Sequence, residues 1–297
     1  MGKAIADASP AARRLFERVD AALGEPLSRL CFEGPMEELT LTHNTQPAIV
    51  ATSCAVLAAL CERYPHLQQP TCAAGHSLGE YSALVASGAL EIEDAVRLCR
   101  LRGEAMQEAV SPGEGAMAAL IGLEPQVVQT ICADAGQEEV VEPANFNAPG
   151  QIVIAGHAEA VARAGAIVAQ YGGKAVPLKV SAPFHCALMR PVAARLAPAL
   201  DAVPVGPLAF PVLANVDALP NEDPDRVRSL LVQQIDAPVQ WVRIIERMAA
   251  DGVTHALEIG PGKVLAGLVK RISKQIRVLN VGDPAGVERV AEFLSQP

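Results

Sequence analysis

Short apolar runs alternate with longer amphipathic segments along most of the 297-residue chain. This alternation of strand-like and helix-like patterns favours a mainly parallel sheet covered by helices on both faces. One stretch departs from it, because residues 113–180 follow the order β-α-β-β-α-β of a ferredoxin-like unit. We therefore predict an α/β core built from residues 1–112 and 181–297, interrupted by a small α+β subdomain at 113–180.

Charge and composition argue against several classes of protein. The formal net charge is −9 and only 3% of the residues are aromatic, which disfavours binding to nucleic acids or anionic membranes. The seven cysteines form no C-x-x-C pair, so neither a disulfide framework nor a zinc ribbon is indicated. No apolar run approaches the roughly 18–20 residues of a membrane span. We expect a cytoplasmic monomer with no metal and with neither nucleic acid nor membrane as a partner.

A glycine-rich turn, Gly75-His76-Ser77-Leu78-Gly79, separates a short apolar run from a predicted helix. The G-x-S-x-G pattern in this setting is typical of a nucleophile turn, in which glycines allow a sharp bend and the serine hydroxyl projects from the sheet. The backbone N–H of Leu78, at the helix N-terminus, is then available to a tetrahedral oxyanion. We predict that Ser77 is a nucleophile; the alternative is a purely structural junction between strand and helix. We expect Glu80 to be an acidic residue of the first helical turn, favoured by the helix dipole, rather than a catalytic base.

A second chemical signal is an arginine on an apolar helix face. Ala95, Cys99, Arg102 and Met106 share one face of a predicted helix, and this face is otherwise apolar. An inward guanidinium requires an anion, since unpaired burial of a charge is costly, and its fork of N–H groups suits a carboxylate. The alternatives are an arginine that extends to solvent or one that pairs with a structural acid.

The decad GHSLGEYSAL at 75–84 resembles the active-site signature of the malonyl-CoA:acyl carrier protein transacylase family. This resemblance extends over essentially the whole chain. It implies an α/β-hydrolase-like core with a ferredoxin-like insertion, and malonyl transfer from coenzyme A to the phosphopantetheine thiol of acyl carrier protein through a malonyl-serine ester, which supplies fatty acid synthesis. Further matching blocks follow in the family's order: LRG at 101–103, NFNAPGQ at 145–151, VSAPFHC at 180–186, PVQW at 238–241 and EIGPGK at 258–263.

The resemblance implies catalytic roles for two residues and a binding role for a third. His185 takes the proton of Ser77 and returns it to a thiol, with its ring oriented by a backbone carbonyl rather than by an aspartate. Arg102 holds the malonyl carboxylate. No cofactor is implied, since coenzyme A and the phosphopantetheine-carrying acyl carrier protein are parts of the substrates.

Four further residues are predicted to bind substrate. Gln240 is expected to hydrogen-bond near the catalytic histidine and the substrate carboxylate. Phe184 resembles the bulky residue that opposes an α-methyl branch in malonyl-selective domains. Leu78 contributes its N–H, and Met106 lies on the face of Arg102.

Some polar and basic residues fit the same hypothesis less specifically. Asn145 and Asn147 either border the pocket or belong to a turn, which the Asn-x-Asn-x-Pro-Gly pattern explains equally well. Acyl carrier proteins are generally acidic, and the candidate docking charges are Arg190, Arg195, Lys263, Lys270, Arg271 and Lys274.

One block of the family has no counterpart in this sequence. The family opens with a short strand and a Gly-Gln-Gly turn, whereas this chain begins at Met1-Gly2-Lys3 and contains no such turn. We expect that the true start lies upstream or that the chain is truncated. Two alternatives to malonyl transfer therefore stay open, namely a serine hydrolase or thioesterase and an inactive truncated chain.

Overall fold

The computed structural model describes residues 1–180 and 182–296. The two ends of the predicted second core segment, residues 181 and 297, lie outside this range. The strands are β1 (Ala73–Ala74), β2 (Gly115–Ile121), β3 (Val141–Ala148), β4 (Gln151–His157), β5 (Lys174–Pro177), β6 (Val212–Leu213), β7 (Pro220–Asn221), β8 (His255–Ile259) and β9 (Arg277–Val281).

Helices account for most of the regular structure. Two short 3-10 helices, Val168–Tyr171 and Ala187–Met189, accompany the α-helices. The α-helices are α1 (Lys3–Ala8), α2 (Pro10–Leu23), α3 (Leu27–Glu33), α4 (Met36–Leu39), α5 (Thr42–Arg63), α6 (Gly79–Ala86), α7 (Ile92–Glu108), α8 (Pro125–Gly136), α9 (Ala158–Ile167), α10 (Arg190–Ala202), α11 (Pro224–Gln233), α12 (Trp241–Ala250), α13 (Val264–Ile272), α14 (Pro284–Glu288) and α15 (Val290–Ser295).

Helix α2 illustrates how local sequence sets the ends of an element. The Ser9 side chain accepts a hydrogen bond from the backbone N–H of Ala12, and Pro10 occupies the first helical position. Both features are favourable at a helix N-terminus. Gly24 ends the helix with a left-handed backbone (φ 68°), a conformation that glycine adopts without steric cost.

Helix α5 lies at the centre of the largest apolar core. By length and composition it is apolar enough to cross a membrane, so the expectation that no segment approaches such a length is wrong. However, 67% of its most apolar stretch is buried inside the protein, where it packs against α2 and α7. Its apolar character is therefore that of a core helix.

The core strands form two small sheets. Strand β1 pairs in parallel with β6, which pairs antiparallel with β7, while β8 and β9 form a separate parallel pair. The two parallel pairs agree with the predicted α/β core, and helices lie between their strands in the sequence. Strand β1 has only two residues, and it leads directly into the glycine-rich turn that precedes α6.

The inserted sheet has four antiparallel strands in the order β3-β4-β2-β5. Its sequence order β-α-β-β-α-β and this spatial order are those of a ferredoxin-like unit. One face packs against α8 and α9, and the other face, which includes Met117 and Val153, packs around Cys186. The inserted sheet therefore contacts the segment that carries His185.

Strand β3 places both asparagines of the Asn-x-Asn pattern in a strand rather than in a turn. The reversal comes later, at Gly150, whose φ of 67° suits the hairpin between β3 and β4. The pairing of β3 with β4 shifts register before Asn145 and after Phe146. Between these shifts β3 also bonds to the core, since Phe146 donates its N–H to the carbonyl of Val239 (2.9 Å). The turn interpretation of Asn145 and Asn147 is therefore wrong.

Replacing Gly103 by alanine should destabilise the fold, because a Cβ there would lie 2.5 Å from the Cα of His43 in α5. We expect the free energy of unfolding, measured in denaturant, to fall by about 1–3 kcal/mol, as in overpacked cores. Gly267 in α13 is a matched control, since a Cβ there meets nothing within 4 Å. Its replacement by alanine should raise stability by about 0.5–1 kcal/mol. Equal effects at the two positions would contradict the close contact of α5 and α7.

Candidate active site

The glycine-rich turn holds Ser77 in a left-handed backbone conformation (φ 53°), which is uncommon for a residue with a side chain. Gly75 makes the turn possible, because a Cβ there would overlap the backbone carbonyl of Gly79. The side chain of Asn215 ties the turn together: its Oδ1 accepts from the N–H of Ser77, and its Nδ2 donates to the carbonyl of Gly75, both at 2.7 Å.

The N–H of Leu78 lies directly after the serine and before α6. Within residues 1–180 and 182–296 no group accepts a hydrogen bond from it. It is therefore available as a donor beside the Ser77 hydroxyl, as predicted for an oxyanion contact.

His185 completes a serine–histidine pair. Its Nε2 lies 2.7 Å from Ser77 Oγ, and its Nδ1 lies 2.9 Å from the backbone carbonyl of Gln234. A carbonyl only accepts, so Nδ1 carries the proton and Nε2 presents a lone pair to the serine hydroxyl. Like Ser77, His185 has a left-handed backbone (φ 60°). The ring is thus oriented by a backbone carbonyl, the arrangement that the family resemblance implies.

The environment of His185 keeps the imidazole neutral. The side chain is 3% exposed, and burial together with the nearby positive charge of Arg102 lowers its pKa to about 3. A neutral imidazole is the form that can accept a proton. The ring is therefore in the form of a general base throughout the neutral pH range.

Arg102 lies on a buried helix face, as the sequence predicted. Only 2% of the residue is exposed, and Ala95, Cys99 and Met106 on the same face of α7 are fully buried. The alternative that the guanidinium extends to solvent is therefore wrong.

In the part of the chain that the structure describes, the hydrogen-bond partners of Arg102 are neutral oxygens. One Nη donates to Gln46 Oε1 (2.6 Å), and the other donates to Ser77 Oγ (2.8 Å) and Gln234 Oε1 (3.1 Å). Nε has no hydrogen-bond partner among the described residues, and none of their carboxylates forms an ion pair with the guanidinium. A buried charge with neutral partners next to a nucleophile is suited to bind an anion.

Gln234 connects the separate parts of the site. Its side-chain oxygen accepts from Arg102, and its Nε2 donates to the carbonyl of Ser77 (3.0 Å) and to Glu80 Oε2 (2.8 Å). Its backbone carbonyl accepts from His185. This one buried residue therefore contacts the nucleophile, the base and the guanidinium.

Glu80 is the buried carboxylate of the site. It lies in the first turn of α6, as predicted, but is only 3% exposed, and its Oε2 also accepts from the N–H of Asn215 (3.0 Å). Burial raises the pKa of this carboxyl to about 7, against the opposing effect of the hydrogen bonds from Gln234 and Asn215.

Three of these polar residues were not identified from the sequence: Gln46, Asn215 and Gln234. Each is an amide side chain within a predominantly apolar stretch, and each is buried in the structure. That combination is the one signal available from sequence, since a buried amide must find hydrogen-bond partners. It indicates burial but does not reveal which partners the amide contacts.

The place predicted for Gln240, beside the catalytic histidine, is held by Gln234. Helix α11 ends at Gln233, so that the following turn brings Gln234 against His185, whereas Gln240 precedes α12 and donates its backbone N–H to the carbonyl of Asn215 (2.9 Å). The glutamine beside the catalytic histidine is therefore Gln234 and not Gln240, and it contacts His185 through its backbone carbonyl.

Met106 is fully buried, and its sulfur accepts a hydrogen bond from Gln46 Nε2 (3.6 Å). Gln46 is also a partner of Arg102, so Met106 lies next to the arginine site. Contact of Met106 with substrate stays a prediction. Phe184 is half-buried and packs against both the largest core and the inner face of the inserted sheet. Its part in substrate selection stays a prediction.

Asn147 and Trp241 hold the histidine of the turn in place. His76 Nε2 donates to Asn147 Oδ1 (2.8 Å), and the His76 ring centroid lies 5.6 Å from that of Trp241. Burial lowers the pKa of His76. This histidine is therefore a packed structural residue of the turn, and Asn147 contacts the turn directly.

The predicted docking charges lie in two groups. Arg190 and Arg195 in α10 form ion pairs with Asp236 and Glu108, respectively. The second group is in or beside α13, where all four residues are exposed: Lys263, Lys270, Arg271 and Lys274.

The assigned tautomer of His185 leads to a direct test. We expect ¹⁵N-resolved NMR of the imidazole to show a neutral ring protonated at Nδ1 from pH 8 down to about pH 5, because the low pKa keeps the charged form unpopulated there. A His185 ring that becomes charged between pH 7 and 6 would contradict the buried, guanidinium-flanked geometry.

The chain matches the family model described as "Acyl transferase domain" over residues 1–291. It is 46% identical over 280 residues to the malonyl CoA-acyl carrier protein transacylase of Haemophilus influenzae, an alignment that covers 94% of this chain and 89% of that protein. An acyl-carrier-protein S-malonyltransferase from Bartonella henselae is 47% identical in sequence and superimposes with a TM-score of 0.95, covering 100% of this chain and 95% of that one.

A third similar structure shows a type II PKS acyl carrier protein in complex with its malonyl-transacylase. It has a TM-score of 0.95 at 43% identity and covers 98% of this chain and 94% of that one. Together with the match to the family model, these likenesses identify the chain as a member of the acyl transferase domain family.

Proposed function

We propose that this protein transfers malonyl from malonyl-CoA to the phosphopantetheine thiol of an acyl carrier protein, through a malonyl ester on Ser77, and so supplies fatty acid synthesis. The observation that carries the proposal is the buried Arg102 guanidinium, whose hydrogen-bond partners among residues 1–180 and 182–296 are neutral and which lies 2.8 Å from the serine hydroxyl. The free carboxylate of a malonyl thioester can form an ion pair with this guanidinium. It lies one methylene group away from the thioester carbonyl that the serine attacks.

In the first half-reaction, Ser77 Oγ attacks the thioester carbonyl carbon while its proton passes to Nε2 of His185. The resulting oxyanion faces the N–H of Leu78. The C–S bond then breaks, and the proton on Nε2 passes to the departing coenzyme A sulfur. The products are free coenzyme A and malonyl-Ser77.

The second half-reaction reverses these steps with a different thiol. The phosphopantetheine thiol gives its proton to His185 Nε2, and its sulfur attacks the ester carbonyl. The C–O bond breaks, and the proton on Nε2 returns to Ser77 Oγ. Supporting this step, the relative seen with an acyl carrier protein shares the fold, and exposed basic residues of α13 offer charges to an acidic partner.

Substrate binding also changes the base. The positive charge of Arg102 contributes to the low pKa of His185. A malonyl carboxylate bound to the guanidinium neutralises that charge and strengthens the imidazole as a base. An acyl group without a carboxylate lacks this effect, so Arg102 favours malonyl both in binding and in reaction.

The serine hydrolase hypothesis shares the serine–histidine pair but has no use for Arg102. A neutral acyl group presents nothing to a buried guanidinium, and water would compete with the second thiol. The inactive-chain hypothesis predicts no acyl-enzyme at all. The following experiment separates the three.

Incubating the protein with malonyl-CoA should give an intact mass increased by one malonyl group, and Ser77→Ala should give no adduct. Addition of a holo acyl carrier protein should remove the adduct and produce malonyl carrier, while an apo carrier, which lacks the thiol, should leave it in place. Free malonate as the main product would favour a hydrolase, and the absence of both adduct and turnover would contradict the proposed transfer.

Arg102→Ala should slow formation of the malonyl adduct by about 10²–10³-fold, because two hydrogen bonds to a charged group are lost. Acylation by acetyl-CoA should change much less. Arg97, an exposed arginine on another face of the same helix, is the matched control, and Arg97→Ala should leave both rates unchanged. Equal loss with the two thioesters in Arg102→Ala would contradict carboxylate binding.

A further inference from the structure

Glu80 is the one carboxylate that the site described above contains, and the proposed chemistry does not use it. It contacts neither His185 nor Ser77 Oγ. Its Oε2 instead accepts two hydrogen bonds, from Gln234 Nε2 (2.8 Å) and from the N–H of Asn215 (3.0 Å). Its partners, however, are the two residues that hold the rest of the site together.

The hydrogen bond between Gln234 and Glu80 determines the orientation of the Gln234 side-chain amide. Nε2 of Gln234 donates both to Glu80 and to the carbonyl of Ser77, and both acceptors lie on one side of the amide. The amide oxygen must then face the other way, where it accepts from Arg102 (3.1 Å). If the amide were reversed, its N–H groups would face the guanidinium, which has no acceptor.

The hydrogen bond from the N–H of Asn215 to Glu80 connects Glu80 to the turn that carries Ser77. Asn215 Oδ1 accepts from the N–H of Ser77, and its Nδ2 donates to the carbonyl of Gly75. Glu80 therefore fixes the backbone position from which Asn215 supports the strained turn. One oxygen atom thus links the element that orients Arg102 to the element that orients Ser77.

We propose that Glu80 is a positioning residue of the acyl-transfer site, which acts as a hydrogen-bond acceptor for Gln234 and thereby keeps the Arg102 guanidinium oriented toward the acyl carboxylate. The proposal rests on the proposed function, since it assigns to Arg102 the carboxylate of the substrate. It distinguishes an acceptor role from a role as acid, base or counter-charge, because a neutral acceptor of the same shape should serve as well.

Glu80→Gln and Glu80→Met separate these roles. A glutamine at this position still presents an oxygen to Gln234 and Asn215, and Glu80 lines a cavity of about 10 Å³, room for one water molecule beside the new amide. A methionine has a similar volume but no strong acceptor. Glu258→Met is the matched control. Glu258 is also a hydrogen-bond acceptor, for the backbone N–H groups of Leu265 and Ala266 and for Asn280 Nδ2, and it contacts none of the site residues.

The readout is the binding preference for malonyl-CoA over acetyl-CoA, measured by calorimetry with each variant in a Ser77→Ala background. These two thioesters differ only in the carboxylate, and neither reacts, so the result does not depend on transfer. The Ser77→Ala parent should bind malonyl-CoA at least about tenfold more tightly than acetyl-CoA. Glu80→Met should lower this preference about tenfold, whereas Glu80→Gln and Glu258→Met should stay within about threefold of the parent.

Three outcomes would overturn the proposal. Equal weakening of both thioesters by Glu80→Met would indicate a general structural role, and loss of the preference in Glu80→Gln would indicate that the charge is needed. A Ser77→Ala parent that binds both thioesters equally would show that Arg102 does not bind the acyl carboxylate. If Glu80→Met does not fold, Gln234→Met replaces it and should lose the preference that Glu80→Gln keeps. Failure of acyl transfer in the mass experiment, with the preference intact here, would count against the proposed function alone.

Discussion

A buried guanidinium that forms no ion pair with any described carboxylate is the feature around which this site is organised. Placing a charge in an apolar core is costly unless it is paired or well hydrogen-bonded. Arg102 is held by three neutral oxygens, from Gln46, Ser77 and Gln234, none of which carries an opposite charge. An anion bound to the guanidinium would offset this charge, and in the proposed function that anion is the carboxylate of the acyl group next to Ser77.

The two reacting side chains are both held in uncommon backbone conformations. Ser77 and His185 have positive φ angles of 53° and 60°, which cost energy in residues with side chains and persist only where neighbours enforce them. Asn215 enforces the first through bonds on both sides of the turn, and Gln234 supports the second by accepting from the imidazole. The hydroxyl and the imidazole are thus brought within 2.7 Å by the backbone, not by flexible side chains.

Much of this arrangement could be predicted from local sequence. The glycine-rich turn between a strand and a helix identified Ser77, and the spacing along α7 placed Arg102 on a buried face. Such signals are local, because they depend on the backbone near the residue. The order of strands and helices in the sequence also predicted the ferredoxin-like insertion, and the structure has the strand order of such a unit, β3-β4-β2-β5.

The remaining parts depend on contacts between distant segments. The carbonyl that orients His185 belongs to Gln234, 49 residues further along, and nothing local distinguishes that glutamine from Gln240. For Asn145 and Asn147 the local pattern was misleading. Their sequence is typical of a turn, but it lies in strand β3 because β4 and the segment at Val239 pair with it. Tertiary contacts decide both cases, by selecting one of two similar glutamines in the first and by overriding a local turn preference in the second.

The central claim is that Arg102 receives the carboxylate of the acyl group. A crystal structure of Ser77→Ala with malonyl-CoA tests it most directly. We predict both carboxylate oxygens within hydrogen-bond distance of the guanidinium, with the thioester carbonyl carbon facing the position of the missing hydroxyl. A carboxylate bound elsewhere, with Arg102 still contacting only Gln46 and Gln234, would contradict the account.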